Sequence, residues 1–479
     1  MGCPRIALFG PGSADFARAL SRDTCASPEL RDAELRLMDI DPARLADTEA
    51  IANRLKQEYG GTGAVTTHTT LTPALADADF VITMFQVGGY EPATVTDFEI
   101  PKKYGLRQTI ADTLGIGGIM RALRSIPVLN GIAEEMERSC PNALLMNYVN
   151  PMAPLVWGVT RTTSISTVGL CHSVQGTAAE LASFLDVPAS EIDYECAGIN
   201  HMAFYTRFER NGQDLYPALR ALEASKTYPA WEAPRFTLMR DFGYFVTESS
   251  EHLSEYVPWL IKDGRDDLID RYNIPLDEYP ARCVDQIADW SSMRTALLSD
   301  DPSAIASYQT AKGETLSGNW ERKLARERLR DPDSEQRLRT RLLDERHAHQ
   351  TGHSGEYGTL IIHAMTTGQP STIWGNVPNV GLIDNLPADC IVEVACNVDQ
   401  TGLNPQPFGA LPLQLASLMT TNVNPQRMMV EAALNHSRAA VYQAALLDPH
   451  TAAELDPEQI RAMVDELIAA HGDLIPEVT

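Results

Sequence analysis

Arg5-Ile6-Ala7-Leu8-Phe9-Gly10-Pro11-Gly12-Ser13 opens the chain's first structured segment, and its reading decides the fold. The apolar run over residues 5–9 is a short strand that enters a glycine turn and is followed by a helical pattern through Phe16 and Leu20. Glycine is needed there so that the backbone can turn tightly and a pyrophosphate can approach the amides at a helix N-terminus. Gly10, Gly12 and Ser13 are therefore the candidate cofactor-binding loop. The third glycine of the dinucleotide fingerprint is missing, with Asp15 in its place.

A second strand over residues 35–38 ends in Asp39-Ile40-Asp41 and restores the reading. An acidic residue at that strand end accepts hydrogen bonds from the ribose hydroxyls of NAD, and Asp39 is the candidate. Asp41, followed by Pro42, has the pattern of a helix N-cap with proline in the first turn. Further strands are expected at 64–67, 80–84, 143–147 and 167–170, with an amphipathic helix over 117–138. This alternation predicts an α/β fold, a Rossmann-type doubly wound parallel sheet, with a second α+β domain. The division expected is residues 1–200 for NAD binding and 201–479 for substrate, metal and oligomer contacts.

Composition narrows the function classes. Thirty-nine Lys plus Arg against 64 Asp plus Glu give a formal charge of −25, which repels a phosphate backbone and argues against nucleic-acid binding. No apolar stretch is long enough for a membrane span, and no signal peptide is legible at the start, so a cytoplasmic protein is expected. The eight cysteines are then thiols, and a functional one is a ligand or nucleophile.

Polar residues just past strand ends are the site candidates, because ligands of doubly wound sheets bind there. The loops Gln86-Val87-Gly88-Gly89-Tyr90 and Asn147-Tyr148-Val149-Asn150-Pro151 qualify, with Asn150 a substrate-binding candidate. Cys171-His172-Ser173 and Asn200-His201 follow two more strands. A thiolate and an imidazole brought together there suit a first-row metal with positions left open for hydroxyls. A third cluster, Thr247-Glu248-Ser249-Ser250-Glu251-His252 with Glu255 and Tyr256, reads as a helix starting near Ser249 or Ser250, which places His252 and Tyr256 on one face. Ser249 is equally a plain helix cap with Glu251 in the first turn.

These segments together resemble the family-four glycoside hydrolases, and within them the melibiase-type bacterial α-galactosidases. The resemblance runs through FGPGS, LMDID, FQVGGYEP, RQTIADTLG, MNYVNPM, GLCHSVQGT, AGINHMAFY, GYFVTESSEH, GLIDNLP and DPHTAA. It weakens over residues 300–354, where a charged helical stretch, 320–349, reads as a solvated face. The Cys-His-Ser triplet is the form associated with the α-galactosidases rather than the phospho-glycosidases.

The resemblance implies an enzyme that uses NAD catalytically with a divalent metal, manganese or another first-row ion, held by Cys171 and His201. It implies oxidation at sugar carbon 3, removal of the carbon 2 proton by a base, loss of the aglycone, addition of water and return of the hydride. Such a route replaces the paired carboxylates of ordinary glycosidases. The base is His252 or Tyr256, with a neutral histidine favoured near pH 7; the acid is His172 or a metal-bound water. The expected partner is a small oligosaccharide with a terminal α-galactoside, and the chain is expected to form a homodimer or homotetramer. An α-glucosidase or α-glucuronidase would share this machinery. An NAD-dependent hydroxy-acid dehydrogenase would share the fold but produce net NADH, and a silent NAD-binding regulator would not keep Cys171 and His201. The helical segments at 411–428 and 438–447 are core or interface, with core preferred.

Overall fold

The computed structural model describes residues 3–12, 14–301, 303–351 and 354–479. Among them are strands β1 (Arg5–Phe9), β2 (Glu34–Met38), β3 (Val65–His68), β4 (Phe80–Thr83), β5 (Leu144–Asn147), β6 (Thr167–Leu170), β7 (Ile192–Ile199), β8 (Met202–Arg210), β9 (Gln213–Asp214), β10 (Phe245–Val246), β11 (Ser371–Pro378), β12 (Ile391–Asp399) and β13 (Gly402–Pro405). One sheet holds all of them, in the order β10-β8-β7-β12-β11-β6-β5-β4-β1-β2-β3, with β13 on β12 and β9 on β8.

The first six strands are parallel and ordered 3-2-1-4-5-6, which is the Rossmann arrangement. β4 and β5 are buried at every position because helices cover both faces of a parallel sheet. β11 then joins β6 antiparallel, and the rest of the sheet is antiparallel. The expected doubly wound sheet is observed, and it continues into a second, antiparallel part.

The amphipathic helix spans Gly115–Ser139 and packs against the helices Met152–Thr162 and Leu413–Asn435. Leu415, Met419, Val423, Met429 and Val430 of the last helix, and Val441 and Ala444 of Arg438–Leu447, are inaccessible to solvent. Both C-terminal helices are therefore core, as preferred from the sequence.

The charged stretch is not only a solvated face. Its helices Gly318–Arg330 and Pro332–Thr351 close a small core of their own with Trp231, Leu316, Leu324, Leu338 and Leu342. Lys323 turns inward from it, over the rings of Trp320 and Trp231, to pair with the buried Glu251 at 2.9 Å. The sequence reading missed this because a lysine in a charge run gives no sign of facing inward. Among the described residues no helix is long and apolar enough to cross a membrane, and the eight cysteines are all free.

Candidate active site

β1, β4, β5 and β6 run parallel, so the residues that follow their carboxyl ends share one edge of the sheet. Gly10 has φ +76°, and a Cβ there would stand 2.6 Å from the Cα of Phe85, so only glycine fits. At Gly12 an added Cβ would lie 2.9 Å from both the Asp39 carboxylate and Arg44 Cβ. Asp39 binds this loop from below, its Oδ2 accepting from Gly12 N at 3.1 Å and its Oδ1 from Asp41 N at 2.9 Å. Asp41 caps the helix Pro42–Tyr59 through Ala43 N and Arg44 N, as expected. Ser13 lies outside the described residues. The Gln86–Tyr90 loop follows β4 closely; the buried guanidinium of Arg124 donates to Val87 O at 3.2 Å and pairs with Asp97.

Past β6 and across the antiparallel strands, three donors converge. Cys171 follows β6. His201 occupies the two-residue turn between β7 and β8, with φ +63°. Glu248 follows β10, with φ +66°. Their ligand atoms all lie within 4.8 Å of one another. The Cys171 thiol reaches Glu248 Oε2 at 3.9 Å, and His201 Nε2 stands 3.6 Å from the same oxygen.

Electrostatics divide the roles of these groups. Burial pushes the His201 pKa down to about 4, over the opposing pull of Glu248, so its imidazole is neutral at pH 7. Burial also pushes the Cys171 thiol well above its ordinary value, and the charges of Glu248 and Glu393 add to the shift. Glu248 is desolvated too, but His201 and His252 outweigh this and hold its carboxyl well below the ordinary range. One thiol, one neutral imidazole and one carboxylate at these separations fit a first-row divalent cation, whose charge would ionise the thiol.

Glu248 was not singled out from the sequence as a ligand. Three glutamates punctuate that cluster, and only the fold separates them: Glu251 pairs with Lys323, and Glu255 accepts from the amides of Thr109 and Ala111 at 2.6 and 2.9 Å. Asp112, in the loop those amides precede, was also missed. It stands 3.4 Å from His252 Nε2 and accepts from Asn150 Nδ2 at 3.0 Å. A polar contact path thus runs from Asn150 through Asp112 and His252 to Glu248, 3.2 Å from His252 Nδ1.

This path corrects the expectation of a neutral His252. Burial opposes its charge, but Glu248 and Asp112 prevail and push its pKa up to about 10. The expected shared helix face is also corrected, since the helix is only Ser250–Leu253, with Ser249 as its cap, and ends before Tyr256. Tyr256 instead lies 2.9 Å from His201 Nδ1 through its hydroxyl, and burial pushes its pKa well above 10. Its hydroxyl is engaged with the imidazole and carries its proton at pH 7. His172 turns to Glu356 at 2.5 Å, with more than half of its side chain exposed.

A model of family 4 glycosyl hydrolases matches residues 5–187, and one for the C-terminal domain of the same family matches residues 196–451. The chain belongs to glycosyl hydrolase family 4. It is 44% identical over 475 residues to an α-galactosidase of Bacillus subtilis (strain 168), covering 99% of each chain. It is 33% identical to an α-galactosidase of Rhizobium meliloti (strain 1021), covering 99% of this chain and 89% of that one. The family fold is also that of the 6-phospho-β-glucosidase of Thermotoga maritima solved with manganese, NAD+ and glucose 6-phosphate, at TM-score 0.71 and 19% identity over 99% of this chain and 100% of that one.

Proposed function

We propose that this family 4 enzyme is a cytoplasmic, homo-oligomeric α-galactosidase that hydrolyses terminal α-galactosides with catalytic NAD and a divalent first-row metal such as manganese. One observation carries the reading: Cys171, His201 and Glu248 meet within 4.8 Å, and the first of them lies on the sheet edge that also bears the glycine loop. The relatives 44% and 33% identical, both α-galactosidases, set the sugar.

Gly10, Gly12, Ser13 and Asp39 are proposed to hold the NAD, and Cys171, His201 and Glu248 the cation. When bound, these two groups supply a reversible hydride acceptor and a positive charge that acidifies neighbouring hydroxyls. Asn150 is the proposed sugar ligand, a reading supported by the bond from its amide to Asp112. His252 is the residue positioned to move a proton. It keeps its own while Asp112 and Glu248 both face it, and a cation held by Glu248 would weaken that hold. His172, at the more exposed rim with Glu356, is the candidate acid for the leaving group. A domain division at residue 200 assigns the glycine loop and Cys171 to one part and His201, Glu248 and His252 to the other.

The test is turnover of an aryl α-galactoside by the purified enzyme with and without NAD, Mn2+ and a chelator. Activity that requires both additions, is abolished by the chelator and leaves no net NADH is expected. Full turnover without NAD would refute the proposal, and net NADH would indicate a dehydrogenase.

A further inference from the structure

Arg235, in the helix Ala233–Phe242, is 1% exposed and makes four bonds with one guanidinium. Nη1 donates to the backbone carbonyl of Glu248 and, at 3.1 Å, to Thr177 Oγ1. Nη2 donates to Glu180, and Nε to Glu232 Oε2 at 2.5 Å. Glu232 in turn accepts from Ser250 Oγ at 3.3 Å.

Glu232 apart, these acceptors belong to two elements, the first of which also meets β8 and β10 in an apolar core through Val174, Tyr205 and Phe245; Arg235 adds the polar link beside the donors. Thr177 and Glu180 lie in the helix Ser173–Phe184, which starts two residues after Cys171. Glu248 and Ser250 belong to the loop and turn that carry the carboxylate donor and His252. Glu248 also has a left-handed backbone at φ +66°, a conformation that costs a non-glycine residue about 1 kcal/mol or more and persists only where its surroundings enforce it. Its carbonyl bond to Arg235 is such an enforcement, and it aims the side chain toward Cys171 and His201.

We infer that Arg235 is a positioning residue for the cation site, cross-linking the Cys171 helix to the Glu248 loop and so fixing the distance between those two donors. This rests on the reading of Cys171, His201 and Glu248 as metal ligands. A planar fork with five donors can serve a carbonyl, a hydroxyl and two carboxylates at once, whereas a lysine ammonium has three donors on a single point. Groups that support ligands in this way are worth about 10–100-fold in metal affinity. Among the described residues, Gly10, Gly12 and Asp39 share no partner with Arg235, so dinucleotide affinity is expected to be independent of it.

The experiment is a Co2+ titration of the chelator-treated full chain, read by the thiolate-to-cobalt charge-transfer absorption, for wild type, Cys171→Ala and Arg235→Lys, with NAD affinity measured on each. The wild type is expected to show the band and Cys171→Ala to lack it. Arg235→Lys is expected to bind Co2+ about 10–100-fold more weakly with unchanged NAD affinity. Wild-type Co2+ affinity in Arg235→Lys would overturn the inference while leaving the metal site standing. Absence of a Cys171-dependent band in the wild type would instead remove the metal-site reading and the inference with it. If Arg235→Lys fails to fold, Thr177→Val with Glu180→Gln detaches only the Cys171 helix and is expected to weaken Co2+ binding about tenfold; unchanged affinity there overturns the inference equally.

Discussion

Gly12 and Asp39 lie 27 positions apart and touch directly, whereas Cys171 and Glu248 are separated by 77 positions and by four sheet strands. The first pair belongs to one strand-helix-strand unit whose local geometry forces the contact: the turn excludes any side chain at Gly10 and Gly12, and the next parallel strand delivers Asp39. The second pair meets only because β6, the β7–β8 hairpin and β10 end at one place, and because Arg235 ties their followers together. A cofactor loop can thus be encoded locally, while a three-donor cation site is a property of the whole sheet.

Separate damage at the two ends breaks this contrast if it is wrong. The largest effect is expected for Cys171→Ala: loss of several kcal/mol of charge stabilisation corresponds to a turnover about a thousandfold lower. Its NAD affinity, measured by fluorescence titration, should stay at the wild-type value; a parallel fall would mean that the two ends are one unit. Gly12→Ala is the converse test. The added methyl meets Asp39 and Arg44 at 2.9 Å, and overpacking of about 1–3 kcal/mol weakens NAD binding by about 5–150-fold, with Co2+ affinity unchanged in the same titration.

The pH dependence sharpens the comparison with a smaller effect. Cys171 is a thiol well past pH 9 in the cation-free protein, whereas His201, at about 4, has already lost its proton. Binding therefore requires loss of the cysteine proton, and metal affinity should rise about tenfold per pH unit between pH 6 and 8 from Cys171 alone. Any proton that His252 gives up as Glu248 turns to the cation steepens that rise. A flat profile over this range would exclude the thiol as a ligand.

The same contrast explains what the sequence made legible. β1, β2 and β6, the glycine turn and the Asp41 cap carry local signals: apolar runs, glycines, Asp-Pro. Cys171 and His201 stood out because each follows an apolar strand and because the quoted segments match a family. β8, β11, β12 and β13 carried no comparable marker. In β12 the ionisable Glu393 is wholly buried and accepts from Asn376 Nδ2 at 3.2 Å, which breaks the apolar pattern expected of an inner strand. Glu248 could not be told from Glu251 and Glu255, because what separates them is a left-handed backbone at one, Lys323 of the charged stretch at the second and the amides after Arg107 and Gln108 at the third. Asp112 was hidden in a loop whose partner, His252, lies on a different element. His252 lies beside Asp112 and Glu248, and its charge follows from these two carboxylates, which no local pattern brings beside it.

The central claim is that the sugar ring is oxidised in passing, so that its carbon 2 proton becomes exchangeable before water is added. Hydrolysis of an aryl α-galactoside in deuterated water with NAD, Mn2+ and a reductant, followed by NMR of the released galactose, tests it most directly. Deuterium at carbon 2 is the predicted result; released galactose with protium at that carbon would contradict it.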